Sequence, residues 1–182
     1  MKKLLIGGLV GGLVLFFWQF LSWSLINIHA SEMQYTPNQD EVLVCLQGKL
    51  EPGNTYMMPN VPPGTPQADH QTSMNDYMGK PWAKISYRDN LNMDMGTNMI
   101  RGFVVNFLAA LFLTWLLMQF KELTMIKSIL ACLVVGAIGW LTINYIDSIW
   151  FETKTIAALI DVAVCYSIIG AFLGWWLNRN SK

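Results

Sequence analysis

The chain has 182 residues, 53% of them hydrophobic and only 13% charged, with twelve bases against twelve acids. A soluble domain carries charge on nearly a quarter of its residues, so this composition excludes an ordinary water-soluble globule. The zero net charge and the scatter of the bases also give no nucleic-acid surface.

In chain order, the first apolar run is Leu4 to Ile28. Met1-Lys2-Lys3 before it and "IHA" before Ser31 loosely resemble the two ends of a signal peptide. The apolar stretch is too long for one and ends in the bulky "FFWQFLSWS", so an uncleaved membrane anchor over 4–28 is expected. Three further runs predict spans at 101–120, 126–146 and 155–177. Each is about 18 residues or longer, which at 1.5 Å per residue crosses a hydrocarbon core of about 30 Å. The fold class expected is an all-α membrane bundle of four transmembrane helices with a small α+β cap, 29–100, between the first two.

The cap is patterned rather than featureless. In "TPNQDEVLVCLQGKLEPG", Thr36 reads as an N-cap, Pro37 as the first helical residue and Gln39 as the partner in a capping box. Val42, Leu43, Leu46 and Leu50 follow at helical spacing. "PQADHQTSMNDYM" predicts a second short helix, and "KPWAKISYRD" alternates like a strand able to pair with "TYMM". Cys45 is the one cysteine of this segment, since Cys132 and Cys165 fall in spans, so no disulfide closes within it. Eight of the eleven methionines lie here or at its edge. Thioethers suit Cu(I), and Met93, Met95 and Met99 in "NMDMGTNM" are the metal candidates. The ordinary role of methionine as a filler of irregular gaps is the preferred reading, and no cofactor is expected.

Charge gives an orientation. The segments on the side of the N-terminus hold six bases against one acid, a balance of +5, whereas the other side holds six bases against ten acids, −4. Basic loops mark the cytoplasm. Both termini are therefore expected inside, with residues 29–100 extracytoplasmic, as in a bacterial inner-membrane protein with a periplasmic domain. Trp150 and Phe151 would anchor the outer interface and Trp175 and Trp176 the inner one.

With that orientation, polar side chains gather in the outer halves of all spans: Gln19, Ser22 and Ser24 in the first, Asn106 in the second, Thr142, Asn144 and Tyr145 in the third, and Asp161 in the fourth. The inner halves carry small residues instead, among them Gly7, Gly8, Gly11, Gly12, Gly136, Gly139, Gly170 and Gly174, which permit close helix approach. The pattern describes a cleft open to the outside rather than a pore. An ionised acid at a helix centre costs about 2.5 to 3.5 kcal/mol, and less off-centre, so Asp161 is expected charged in a wet cleft. Its helical face also holds Lys154, Ala157, Ala158 and Cys165, which turns it inward. Arg101, Lys154, Asn106, Asn144 and Tyr145 are its candidate partners, and an interhelical tie and a ligand or proton site are its two candidate roles.

"YMGKPWAKIS", residues 77 to 86, and "NYIDSIWFETKTIAALIDVAVCYSIIGAFLGWW", residues 144 to 176, resemble elements of an uncharacterised family of small bacterial multi-span membrane proteins. That resemblance implies a compact four-helix architecture and carries no activity. With no catalytic motif in the chain, the function expected is non-enzymatic. The protein would sit in the lipid bilayer and bind a partner protein or a small amphipathic ligand through the cap and the polar cleft of Asp161, Asn106, Asn144, Tyr145, Gln19 and Arg101. The alternative is a small transporter or a Cu(I)-handling protein using Asp161 and the outer methionines.

Overall fold

The computed structural model describes residues 1–179; Lys182, counted in the charge balance, lies outside the described residues. In chain order the elements are α1 (Lys2–Phe20), α2 (Gln39–Leu46), β1 (Thr55–Met58), α3 (Gln67–Tyr77), β2 (Ala83–Ser86), α4 (Met95–Leu117), α5 (Met125–Gly139), α6 (Ile146–Phe151) and α7 (Ile156–Arg179). A π-helical turn, Leu21–Leu25, prolongs α1, and a second, Trp140–Tyr145, joins α5 to α6 without a break. Two compact units result: a helical unit made of Met1–Gln34 with the residues from Met93 onward, and an insert, Tyr35–Asn92.

Among the described residues, four helices are long and apolar enough to cross a membrane: Lys2–Leu25, Met95–Leu117, Met125–Phe151 and Ile156–Arg179. Their count and order match the sequence reading, and two of their boundaries move by five residues or more. The second begins at Met95, not 101, because Asp94 caps it: its Oδ1 accepts from the Thr97 N–H at 3.1 Å and its Oδ2 from the Thr97 hydroxyl at 2.7 Å. The third runs to Phe151, since the π turn carries the polar "LTINY" through as helix.

α1 packs against α4 and α7, and α7 against α5. Lipid tails are as apolar as leucine, so these contacts rest on close packing and hydrogen bonds rather than on expulsion of water. Glycine supplies the closeness. A Cβ added to Gly12 would lie 2.7 Å from the Phe107 Cα of α4, and one added to Gly170 would lie 2.7 Å from the Ile129 Cα of α5. Beside Gly170, the buried Ser128 hydroxyl donates to its carbonyl at 2.7 Å. Gly139 departs from the expected small-residue seam, because a Cβ there would meet nothing within 4 Å. Around these contacts Leu15, Ala110, Leu113, Leu117, Cys132, Cys165, Ile169, Leu173 and Leu177 form the core. The outward faces carry exposed apolar side chains such as Leu9, Phe17, Val105, Phe112, Val134 and Ile168. Four such helices with apolar outer faces are the architecture of a multi-pass membrane protein. At one end the start of α1 and the end of α7 meet, where the Trp176 indole donates to the Lys3 carbonyl at 3.2 Å.

The insert is lightly built. β1 and β2 pair antiparallel, Thr55 opposite Ser86 and Met58 opposite Ala83, as the alternating pattern indicated, and α3 lies where the second short helix was expected. α2 is shorter than read. It starts at Gln39 after Asn38, with no side-chain cap. Thr36 instead receives the Asn38 N–H on its hydroxyl and the Gln39 N–H on its carbonyl, both at 3.3 Å, a local turn that closes on the first residue of the helix. Val42, Leu43 and Val44 are exposed, and among the described residues of the insert Tyr87 is the one buried apolar side chain.

Two predictions concern this packing. Gly12→Ala should destabilise the bundle by about 1–3 kcal/mol through overpacking, whereas Gly139→Ala should leave stability unchanged or raise it by up to about 1 kcal/mol; thermal unfolding in detergent micelles compares them. Bonding from the Thr97 hydroxyl, then its N–H, holds the Asp94 carboxyl below the usual carboxylate range. The cap is thus intact above that range and lost as pH falls through the lowered value. Asp94→Ala should accelerate amide exchange in the first turn of α4 and leave its middle protected.

Candidate functional site

Asp161 stands one turn after Ala157 and one before Cys165, on the line of α7 that continues through Ile169, Leu173 and Leu177, all buried. That line faces α1, and the carboxylate is only 21% exposed. One oxygen, Oδ1, accepts from the Trp18 indole N–H at 2.9 Å and from the Ser22 hydroxyl at 2.6 Å. Trp18 and Ser22 are four residues apart, so α1 presents both on one face.

The other oxygen meets a residue beyond the helix. Asn27, in the left-handed region at φ 53°, turns the chain into a single 3-10 turn, Ile28–Ser31, and brings His29 back over α7. His29 Nε2 lies 2.9 Å from Asp161 Oδ2, and its Nδ1 lies 2.8 Å from Glu32 Oε2. The Trp23 ring is stacked on the imidazole, centroids 3.9 Å apart and planes within 4°. This shelters a histidine that is itself buried.

Proton counting fixes the electrostatics. Ionised carboxylates only accept, so two nitrogens each facing one require both N–H groups of an imidazolium. With both acids ionised the Asp161–His29–Glu32 set then carries one net negative charge. Burial of His29 works against its charged form, but hydrogen bonding to Glu32 and Asp161 outweighs it and raises the pKa above that of ordinary histidine. Among the described residues, no group of three or more His, Cys, Asp or Glu side chains is disposed to hold a metal ion.

Beside Glu32 the helical unit opens into a recess of about 660 Å3. Its wall comes from the turn after α1 (Ser31, Glu32, Gln34), from the α5–α6 continuation (Ile143, Asn144, Asp147, Phe151) and from the loop 152–155. Two buried polar atoms on that wall lack a hydrogen-bond partner, Glu32 Oε1 and Thr155 Oγ1. Glu152 holds the loop in the left-handed region at φ 51°, a conformation that non-glycine residues rarely adopt.

The residues singled out from sequence separate into several places. Asp161 is the hub, but it is held by Trp18, Ser22 and His29 rather than by Arg101, Lys154, Asn106, Asn144 or Tyr145. The reason is that its face of α7 meets α1, from which Trp18 and Ser22 reach it, and the turn that carries His29. Asn106 forms a second, separate tie, donating to Gln19 Oε1 at 2.7 Å and to the Gly102 carbonyl at 2.9 Å. Asn144 and Lys154 line the recess. Tyr145 leans on Trp140, ring centroids 5.2 Å apart. Arg101 is exposed on α4, and Met93, Met95 and Met99 are exposed too, so these three methionines do not act as core gap-fillers.

Sequence reasoning missed His29, Trp18, Trp23 and Glu32. A signal existed, since Trp18 and Ser22 are four residues apart on one helical face and His29 follows a few residues after them in the chain. Comparison with family models, with curated proteins and with solved structures gave no match to this chain.

Asp161→Ala would strand three donors, the buried Ser22 and His29 and the partly buried Trp18, and should cost on the order of 3 kcal/mol, while Ser22→Ala, which leaves Asp161 two donors, should cost about 1 kcal/mol. Chemical unfolding in micelles followed by tryptophan fluorescence tests the ordering.

Proposed function

We propose that this chain is a non-enzymatic multi-pass protein of a bacterial inner membrane that binds a small amphipathic ligand in the recess at the polar end of its helical unit. Both termini are taken as cytoplasmic and the insert as extracytoplasmic, on the strength of the +5 and −4 charge balances of the two sides. Membership of the uncharacterised family of small multi-span proteins rests on the residue 77–86 and 144–176 elements.

The observation that carries the ligand reading is the recess itself. It combines polar groups, including two buried atoms without partners, with the apolar Ile143 and Phe151, and Ile143 also continues onto the exposed apolar face of its helix. A headgroup with donors and acceptors would lie against Glu32, Asn144 and Thr155 while its chain follows Ile143 onto the apolar surface. Transport is less well supported. Past Cys165, α7 presents Ile169, Leu173 and Leu177 to a closed core, and the buried Thr114 and Ser128 hydroxyls are satisfied by backbone carbonyls.

Extraction in a mild detergent followed by native mass spectrometry should recover the protein with an amphiphile of defined mass. Asn144→Trp, which fills the recess from an exposed position, should fold normally and lose that mass. Protein free of any amphiphile, or an Asn144→Trp variant that keeps it, would refute the reading. Orientation is checked separately: a reporter active only outside the cytoplasm should work when inserted after Gly64 and fail at the C-terminus.

A further inference from the structure

Two carboxylates face His29, Asp161 from α7 at Nε2 and Glu32 from its own turn at Nδ1. The groups of α1 and its π turn around this pair are uncharged: Trp23 covers the ring, and Trp18 and Ser22 donate to Asp161. The other charged side chains nearby, Asp147, Glu152 and Lys154, stand with Glu32 on the wall of the recess.

An imidazolium can donate to both carboxylates, whereas a neutral imidazole has one N–H and can donate to one of them. The two acids do not compete equally for it. Asp161 sits on a long helix and keeps two donors from α1 whatever His29 does. Glu32 is on a short turn, is held through Oε2 by His29, and has its second oxygen buried without a partner. The same turn forms part of the recess wall.

We propose that His29 is a proton-operated latch on the recess: when protonated it holds Glu32 as well as Asp161 of α7, and when neutral it stays on Asp161 and releases Glu32. The proton leaves from Nδ1 to water, the remaining N–H on Nε2 continues to serve Asp161, and no covalent bond changes. Release puts an unfastened carboxylate on the recess wall and frees residues 32–34, while the bond from His29 to Asp161 keeps the turn itself on α7. The sign follows from linkage. His29 gains its partners on folding, so the fastening is fully present below the ordinary histidine pKa of about 6.5. It is lost as pH rises through the raised value of the folded protein. The latch is independent of what the recess binds.

The chain has two histidines, so the full-length protein labelled with nitrogen-15 histidine in micelles gives two imidazole signals, and His70→Gln leaves that of His29. The latch requires that His29 titrate above free histidine and that its neutral ring carry the proton on Nε2. Amide exchange in residues 32–34, corrected for its intrinsic pH dependence, should rise about tenfold through the same midpoint. Glu32→Ala should lower the midpoint and leave residues 32–34 exchanging fast at every pH. Should that variant not fold, Glu32→Gln, which keeps the size and an acceptor but not the charge, must still lower the midpoint. A neutral ring protonated on Nδ1, exchange that ignores the midpoint, or a midpoint unmoved by loss of the Glu32 charge would each overturn the proposal.

Discussion

Close approach of helix backbones at glycine is the constraint on which the rest of the helical unit depends. In an apolar surrounding, burial of leucine against leucine yields little beyond what lipid already supplies, so stability must come from shape. Gly12 against Phe107 and Gly170 against Ile129 bring main chains to distances where any side chain would collide. Those two contacts join α1 to α4 and α5 to α7, and the α1–α7 contact through Gly11 and Ile169 unites the pairs. Only with α1 and α7 in this relation do Trp18 and Ser22 fall opposite Asp161.

The Asp161 hub then extends that order beyond the apolar zone. Three donors from two consecutive segments converge on one carboxylate, which ties the turn after α1 to the start of α7. The arrangement removes most of the penalty of burying an acid, since each oxygen is met by a donor and the histidine supplies a counter-charge. The hydrogen bonds of Asp161 join α7 to α1, and through His29 and Glu32 they reach the wall of a recess.

Much of the fold was legible in the residues. Four apolar runs, their order, the second cap helix and the "TYMM" pairing follow from local pattern, which neighbours in space do not alter. The errors fell where local signals competed. Thr36 offered a plausible cap but closed its own turn, and Asp94, with Thr97 three residues on, started α4 earlier than hydropathy suggested. The π turn made a helix of "LTINY", whose polar residues had read as the end of a span.

The sequence by itself determined that the chain has four helices long and apolar enough to cross a membrane, that polar groups favour one end, that an acid sits there, and that small residues line the helix contacts. These are consequences of composition and of periodicity along one helix. Only the tertiary structure decided which groups meet Asp161, because a partner choice depends on the rotation of α1 against α7 and on a left-handed residue, Asn27, that folds His29 back over the bundle. Arg101 had the right charge and His29 the right place. A short donor on a turn held in register by packing outweighed a formal charge on a side chain left exposed on α4.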